Sequence, residues 1–411
     1  MGPLNTCLFE CEDSAWFRHA DSLPAAARST AGELARRIGL LPDRAAEVGL
    51  AVSEAATNLR RHAVDGALLL RVVRTDTEAA VEFLTVDSGP GMPDVPVAMS
   101  DGYSSGGTLG IGLGAIARLA DAFDIHSLPD RGTVLTARFW NRTPGGRRAA
   151  AAGEPVAAGI TRPMSGQDVC GDAWAARAVA PVTAPAPQPR PGERPAPGAR
   201  LDWSTLAGRG PRPGATTAPA ASALPRTAPT GPSPAPGSAP GAGDPFLLMF
   251  CDGLGHGPLA FRAAADAVTA FRASSARTPE AVLADIHRAL RGGRGGAVAV
   301  ALVEPAVRRL SFCGVGNVST FVVDAATGAR RALPSTPGIV GHQLPSLHGI
   351  RYDLPPGSAV VLHSDGLTAR WQAPAVPGLL SHLPATAAAL LLREAGVRRD
   401  DAGVVVAKGS W

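Results

Sequence analysis

Three short stretches decide the fold of the first part of the chain: SEAATN at 53–58, DSGPGM at 87–92 and DGYSSGGTLGIGLG at 101–114. Apolar residues at helical spacing predict a helix over 43–63, which carries the first stretch. A largely apolar run predicts a strand over 79–86, directly before the second stretch. The third is a glycine-rich loop that leads into a helix predicted from about 112 to 122. The pattern predicts an α/β domain with polar motifs at the ends of its elements.

The polar residues of the first two stretches suit nucleotide chemistry. Glu54 and Asn58 are one helical turn apart, so both side chains lie on the same face of the predicted helix. An amide oxygen such as that of Asn58 can coordinate magnesium, which prefers oxygen ligands together with phosphates and waters. The Glu54 carboxylate can take a proton from an attacking hydroxyl or water. The Asp87 carboxylate, which follows the predicted strand, can accept a hydrogen bond from the exocyclic amine of adenine.

The glycines of these stretches fit the same pocket. Gly89 and Gly91 let the backbone pack close to a base. A dinucleotide fingerprint is disfavoured because the later glycines follow a polar loop and not the first strand of a βαβ unit. Each fragment alone also fits a solvated helix face, a turn or a plain loop, but their order and spacing favour a nucleotide pocket. Backbone amides of a glycine-rich loop, together with the N-terminus of the following helix, are suited to bind a triphosphate. The glycines of this loop are Gly106, Gly107, Gly110, Gly112 and Gly114.

Together the stretches resemble the Bergerat-fold ATPases of the gyrase, histidine kinase and MutL superfamily. EAATN matches the N box, DSGPGM the first glycine box and GTLGIGLG the second. Within that superfamily, DGYSSGGTLGIGLGAIARLADAFDI at 101–125 is similar to the RsbT-type serine kinases of anti-sigma pathways. The resemblance covers about the first 140 residues. It implies an α+β two-layer sandwich that binds ATP with Mg²⁺.

The same resemblance assigns roles to residues. It implies Glu54 as catalytic base, Asn58 as magnesium ligand, Asp87 as adenine contact and the loop over 106–114 as a lid. The sequence contains no histidine-kinase phosphoacceptor box, so we expect the phosphate to go to a hydroxyl group on another protein. One departure is Gly114-Ala115, at a place where this kinase branch often has proline.

Four acidic signatures lie beside apolar strands in the remainder of the chain: CGD at 170–172, CDGLGHG at 251–257, HSDG at 363–366 and RDD at 399–401. A single Asp-Gly pair is more often a tight turn. Four such signatures at strand ends can instead converge around two divalent cations that activate water and clamp a phosphoryl group. Oxygen-only ligands favour magnesium or manganese over zinc. The candidate ligands are Asp172, Asp252, Asp365 and Asp400, with the backbone carbonyl of Gly253.

This acidic set resembles the metal-dependent serine/threonine phosphatases, in their bacterial SpoIIE and RsbX branch. The resemblance implies an αββα sandwich with two Mn²⁺ or Mg²⁺ ions at one edge, and it carries all five candidate residues over as the metal site. It also implies that the strands bearing Asp172 and Asp252 are hairpin neighbours. Asp401 is the less certain member of its pair. We expect His256 and His363 to pack or to form hydrogen bonds rather than to act as zinc ligands or proton carriers.

The composition indicates how the chain is divided. We predict a kinase domain over 1–140, a linker over 141–155 and a phosphatase domain over 156–411. Sixteen of the 38 prolines lie between Pro181 and Pro240. A segment so rich in proline, alanine and glycine buries too little surface to offset its ordering entropy, so we expect a disordered insert over 181–243.

Charge and cysteine content exclude several classes of protein. The net charge is +4, from 39 basic and 35 acidic residues, and the arginines are scattered, which argues against nucleic-acid binding. The five cysteines form neither a disulfide framework nor a paired zinc motif. No uninterrupted apolar run approaches transmembrane length, and the first residues lack the pattern of a signal peptide. We therefore expect a cytoplasmic protein with reduced thiols that does not bind membranes.

The two motif sets together predict a bifunctional partner-switching regulator. In this hypothesis the N-terminal domain phosphorylates a serine or threonine on a STAS-domain antagonist protein, and the C-terminal domain removes phosphate from the same or a related protein. One alternative is an anti-sigma module that sequesters a sigma factor without kinase turnover. A second is a scaffold with a degenerate phosphatase. The sequence leaves open the oligomeric state and membership of a stressosome-like complex.

Overall fold

The computed structural model describes residues 8–18, 23–100, 112–179, 243–397, 399–409 and 411. The predicted lid glycines Gly106, Gly107 and Gly110, and nearly all of the predicted disordered insert, lie outside these ranges. The N-terminal part has the following elements in chain order: β1 (Glu10–Arg18), α1 (Leu23–Arg37), α2 (Pro42–His62), β2 (Ala67–Arg74), β3 (Ala79–Val86), α3 (Val95–Ala98), α4 (Gly112–Leu119), β4 (Ala122–Ser127), β5 (Thr133–Trp140) and α5 (Pro144–Ala151).

The N-terminal strands form one antiparallel sheet in the order β1-β2-β3-β5-β4. Side chains alternate between the two faces of each strand. Leu68, Leu70 and Phe83 pack against α1 and α2, which present Ala31 and Val52 to the same core. This two-layer α+β arrangement is the one that the sequence predicts.

The C-terminal part forms two further five-stranded sheets, β13-β10-β9-β8-β7 and β12-β11-β14-β15-β6. Its elements in chain order are β6 (Ala157–Arg162), β7 (Asp172–Ala178), β8 (Phe246–Gly253), α6 (Pro258–Ala273), α7 (Pro279–Leu290), β9 (Gly296–Glu304), β10 (Arg309–Val315), β11 (Ser319–Val323), β12 (Arg330–Leu333), β13 (Ile350–Asp353), β14 (Ala359–His363), α8 (Pro384–Ala395) and β15 (Ala402–Lys408).

The two C-terminal sheets pack face to face through an apolar core. Phe250 and Phe312 from the first sheet meet Val360, Leu362 and Val405 from the second. Helices α6 and α7 cover the outer face of the first sheet, and α8 covers the outer face of the second. The order of layers is therefore α, β, β, α, as the sequence predicts.

Helix α8 is also packed against the N-terminal sheet. Its sequence, PATAAALLLREA, is apolar on all sides, and ten of its twelve residues are buried. A helix of this kind must be covered on every face. One side meets β6 and β15, and the other meets Leu69, Leu84 and Val134 of the N-terminal sheet. The N-terminal and C-terminal parts consequently form one compact unit.

Polar contacts secure the same boundary between the two parts. The Thr136 and Thr386 hydroxyl groups are 3.0 Å apart in a buried position. Asp124 accepts from the backbone N–H of Leu383 at 2.7 Å and lies 2.8 Å from Nδ1 of His382. These contacts join β4 and β5 to the start of α8.

A buried ion cluster lies further along the N-terminal sheet, on the face toward the C-terminal part. Glu82 is fully buried and pairs with both Arg71 and Arg138. Burial alone would raise the pKa of Glu82, but the two guanidinium charges hold it below its ordinary value. Arg71 also donates to the carbonyl oxygen of Gly159 at 2.7 Å, and Arg138 pairs with Glu154 at 2.9 Å. Both arginines thus connect the N-terminal sheet to residues beyond it.

Most of the predicted elements are present within a few residues of the predicted bounds. Strand β3 begins and ends where the sequence places it, α2 differs from its predicted range by one residue at each end, and α4 ends three residues before its predicted end. The segment predicted as a linker contains α5, whose residue Ala149 packs with Phe9 and Trp140. The four cysteines in the described ranges are free thiols.

We predict that Glu82→Ala lowers the free energy of unfolding by about 3–5 kcal/mol, because it removes the buried carboxylate that two buried guanidinium groups share. Urea unfolding followed by circular dichroism measures the change. Glu12→Ala is the control, because Glu12 pairs with Arg37 where both side chains are about half exposed. We expect that variant to change stability by less than about 1 kcal/mol. Equal losses in the two variants would contradict a stabilising role for the buried cluster.

Candidate functional site

A cavity of about 610 Å³ lies between α2 and the end of β3. Its volume is in the range of small-molecule sites. The structure brings together here the residues predicted for nucleotide binding, although they come from separate parts of the N-terminal domain. The lining includes Glu54, Asn58, Asp87, Gly91, Gly112 and Thr133.

Asp87 is the most buried of the predicted polar residues, with 9% of its surface exposed. Its Oδ1 accepts the backbone N–H of Gly89 at 2.8 Å, which orients the carboxylate after β3. Burial raises the pKa of Asp87, and the N–H of Gly89 opposes that rise. A buried carboxylate at the wall of a cavity is suited to accept a hydrogen bond from a bound base.

The glycines near Asp87 permit close backbone packing. Gly91 has φ +64°, and a Cβ there would overlap the carbonyl oxygen of Leu128. A Cβ on Gly89 would lie 2.7 Å from the carbonyl oxygen of His62. Of the loop glycines in the described ranges, Gly112 lines the cavity with open space around it. Gly114 instead packs against the backbone of Met99.

Sequence reasoning missed several residues of the cavity wall. Thr85 and Thr133 come from β3 and β5 and flank Asp87. The backbone N–H of Asp87 donates to the carbonyl oxygen of Thr133 at 3.0 Å. Thr85 could have been predicted from the sequence, because it lies two residues before Asp87 and therefore on the same face of the strand.

The second candidate site lies where β7 and β8 meet. Asp172 and Asp252 are directly opposite each other in the antiparallel register, so the prediction that their strands are neighbours is confirmed. Like charges in that position repel. Burial and the negative charges of Asp365 and Asp400 raise the pKa of Asp252 to about 7. The structure therefore brings the four predicted aspartates into one electrostatic cluster.

Two neutral side chains hold members of this cluster. The Ser364 hydroxyl donates to Oδ2 of Asp172 at 2.6 Å, and Nδ2 of Asn317 donates to Oδ2 of Asp365 at 2.8 Å. Sequence reasoning identified neither residue as part of the site. Ser364 could have been found from its position in HSDG, while Asn317 has no motif that distinguishes it.

The structure separates the roles of the paired aspartates. Asp401 is buried, and its two carboxylate oxygens accept the backbone N–H groups of Gly171 and Met164, both at 2.8 Å. Asp400 is exposed, and its charge acts on Asp252. Asp401 thus holds the backbone with both carboxylate oxygens, whereas the exposed Asp400 accepts the backbone N–H of Asp401 at 2.9 Å.

Gly253 and His363 are closely packed, whereas His256 is exposed. A Cβ on Gly253 would overlap the carbonyl oxygen of Ala260, and the Gly253 N–H donates to Gly171 at 2.9 Å. Burial lowers the pKa of His363 to about 4, and its Nε2 accepts from the indole N–H of Trp371 at 3.2 Å. His363 therefore packs as a neutral side chain, as predicted. His256 is exposed, and its charge acts on Asp400.

The donor set fits a hard divalent cation. It is made of carboxylate oxygens, and a cation among Asp252, Asp365 and Asp400 would relieve the repulsion that raises the pKa of Asp252. In the ranges that the structure describes, no group of three or more acidic, histidine or cysteine side chains is arranged closely enough to hold a metal ion.

None of the helices in the described part of the chain is both long and apolar enough to span a bilayer.

Comparison with known families assigns both halves. Residues 18–139 match the histidine kinase-like ATPase domain, and residues 242–408 match stage II sporulation protein E (SpoIIE). The serine/threonine-protein kinase RsbT of Bacillus subtilis is 33% identical over 117 residues, which are 28% of this chain and 88% of RsbT. The phosphoserine phosphatase RsbX of the same organism is 28% identical over 140 residues, which are 34% of this chain and 65% of RsbX.

Among solved structures, RsbX in complex with magnesium is 16% identical, with a TM-score of 0.38, over 61% of this chain and 94% of that chain. The assignment depends on the family matches and on RsbT. The chain therefore belongs to the histidine kinase-like ATPase family and carries a SpoIIE phosphatase domain fused after its ATPase domain.

Proposed function

We propose that this partner-switching regulator both adds and removes phosphate on STAS-domain proteins. The N-terminal domain transfers a phosphoryl group from ATP to a serine or threonine hydroxyl, and the C-terminal domain hydrolyses phosphoserine or phosphothreonine. The observation that carries the proposal is the presence, in one compact unit, of a cavity lined by Glu54, Asn58 and Asp87 and a separate cluster of four aspartates.

The N-terminal cavity has side chains suited to adenine recognition, magnesium binding and proton transfer. Asp87 accepts the adenine amine, and its burial makes the loss of that hydrogen bond unfavourable for other bases. Asn58 holds the magnesium that accompanies ATP. Glu54 lies one helical turn from Asn58 and lines the same cavity, so it can accept the proton of the attacking hydroxyl. Transfer then depends mainly on positioning and charge.

The C-terminal cluster supplies carboxylates around one edge of the sandwich. We assign Asp172, Asp252, Asp365 and Asp400, with the Gly253 carbonyl, as the groups that hold two Mn²⁺ or Mg²⁺ ions. When bound, such ions supply Lewis-acid stabilisation of the phosphoryl charge and lower the pKa of water. Ser364 fixes the rotamer of Asp172, and Asn317 fixes that of Asp365.

The relatives support the choice of substrate group. RsbT is a serine/threonine-protein kinase and RsbX a phosphoserine phosphatase, so a hydroxyl side chain and its phosphate ester are the matching acceptor and substrate. We place the activity in the cytoplasm, where ATP is available. A sigma factor captured without any phosphate transfer would instead support a sequestering module.

We predict that Glu54→Gln reduces phosphoryl transfer to a STAS-domain protein by about 100-fold or more, because the amide cannot accept the proton. ATP affinity should change little, since the side chain keeps its size. Transfer of radiolabelled phosphate from ATP and nucleotide titration measure the two quantities separately. Glu47→Gln is the control, because Glu47 also lies on α2 but is absent from the cavity lining. Undiminished transfer by Glu54→Gln would exclude the role of base.

We predict that Asp400→Asn lowers manganese-dependent hydrolysis of a phosphorylated STAS protein by at least about 100-fold. The free energy of unfolding of the Asp400→Asn variant should be unchanged, because the Asp400 side chain is exposed. Asp401→Asn should lower the free energy of unfolding by about 1–3 kcal/mol, because an amide cannot accept both backbone N–H groups. Initial rates and urea unfolding of both variants give the comparison. The reverse pattern would make Asp401 the ligand and Asp400 the structural member.

A further inference from the structure

The last turn of α8 carries a buried arginine that belongs to the phosphatase domain but faces the ATPase domain. The Arg393 side chain is 5% exposed. Its Nε and Nη2 donate to Oε1 of Glu394 at 3.1 and 2.8 Å. Its Nη1 is buried and has no hydrogen-bond partner among the residues that the structure describes. The ion pair with Glu394 compensates the guanidinium charge but leaves this one donor unsatisfied.

Asp87 supplies negative charge on the far side of the sheet. The positive charge of Arg393 acts on Asp87 and opposes the effect of burial on the pKa of that carboxyl. Helix α8 packs on β3, the strand that ends just before Asp87, and on β5, its neighbour in the sheet. The phosphatase domain thus places a cation behind the carboxylate that faces the nucleotide cavity.

Glu394 extends this contact to the loop beneath the cavity. Its Oε2 accepts from Nη2 of Arg131 at 3.1 Å, and the same nitrogen donates to the carbonyl oxygen of Ala375 at 2.8 Å. Arg131 belongs to the turn between β4 and β5. The backbone N–H of Asp130 in that turn donates to the carbonyl oxygen of Pro90 at 2.8 Å.

The turn between β4 and β5 packs tightly against residues 87–91, which directly follow β3. A Cβ on Gly132 would overlap the carbonyl oxygen of Asp87, as a Cβ on Gly91 would overlap that of Leu128. Any shift of the turn between β4 and β5 must therefore move Asp87 or the residues directly after it.

The same turn of α8 also contacts the phosphatase site. The N–H of Thr368 donates to the carbonyl oxygen of Ala395 at 2.8 Å, and the N–H of Val397 donates to that of Gly366 at 2.7 Å. Gly366 directly follows Asp365, and a Cβ on it would overlap the carbonyl oxygen of Asp401. The last turn of α8 and the residues directly after it therefore have backbone bonds to the loop that carries Asp365, while the same turn has side-chain contacts to the turn between β4 and β5.

We propose that the Arg393–Glu394 turn of α8 is a shared part of both sites. Arg393 is a positioning residue for Asp87 and strengthens recognition of the adenine amine, and the turn transmits nucleotide occupancy to the loop that carries Asp365. The proposal rests on the ATP binding described under the proposed function. Because coupling between two binding sites is reciprocal, a ligand of the phosphatase site must change ATP affinity by the same factor by which ATP changes affinity for that ligand.

The test uses the full-length chain and the variant Arg393→Met, which keeps the apolar stem and removes the charge. Binding of ATP and of inosine triphosphate, which lacks the adenine amine, is measured by titration with a fluorescent nucleotide. Phosphatase activity toward para-nitrophenyl phosphate with manganese is measured with and without ATP. We expect Arg393→Met to weaken ATP binding about tenfold, to affect inosine triphosphate less, and to abolish the response of the phosphatase to ATP.

Matched variants separate this role from a structural one. Arg393→Lys keeps the charge and should restore most of the preference for ATP over inosine triphosphate. Glu394→Gln, which weakens the ion pair with Arg131, should reduce the response of phosphatase activity to ATP. This variant replaces Arg393→Met in the test if Arg393→Met fails to fold. Arg309→Met is the control, because Arg309 pairs with Glu304 at 3.0 Å across β9 and β10, away from α8. It should leave every measurement unchanged.

The outcomes distinguish two kinds of failure. If the unmodified chain binds no ATP, the proposed function is wrong and this inference fails with it. If the unmodified chain binds ATP but Arg393→Met keeps both the preference for ATP and the phosphatase response, only the shared turn is overturned. A fall in stability with an unchanged ratio of ATP to inosine triphosphate affinity would likewise show that Arg393 has a purely structural role.

Discussion

The burial of α8 between two sheets is the constraint on which the rest of the structure depends. The helix has apolar residues on all sides, so it cannot remain as the outer layer of the phosphatase sandwich. The N-terminal sheet covers it through Leu69, Leu84 and Val134. Each domain thereby completes the core of the other. The consequence is a stack of layers in which the nucleotide cavity and the aspartate cluster belong to one rigidly packed unit.

Polar groups decide how the two domains align. Apolar contact is non-directional and would accept several orientations. The hydrogen bonds of Asp124, the paired hydroxyls of Thr136 and Thr386, and the bonds from Arg71 to Gly159 and from Arg138 to Glu154 each require one geometry. A buried polar group that loses its partner is strongly unfavourable. These contacts therefore select a single arrangement, and that arrangement places Arg393 behind Asp87.

Much of both sites could be predicted from local sequence, because their residues occupy the ends of regular elements. Glu54 and Asn58 share a helix face, and Asp172 and Asp252 end adjacent strands. The supporting residues could not be found this way. Asn317 reaches Asp365 from a turn 48 positions away in the chain, and Thr133 reaches Asp87 from a strand that pairs with β3 only in the folded sheet. Such contacts depend on strand order, which short motifs do not encode.

The sequence by itself determined the two families, most helices and strands, and the candidate residues of each site. It did so because helical and strand periodicity and motif spacing are local properties of the chain. Only the tertiary structure decided that Arg71, Glu82 and Arg138, which alternate with apolar residues as on a solvated sheet face, are buried. It also decided that Asp401 is buried and accepts two backbone N–H groups, whereas its neighbour Asp400 is exposed. The physical reason is that burial depends on what covers a surface, and here Arg71 bonds to Gly159, which lies 88 positions further along the chain.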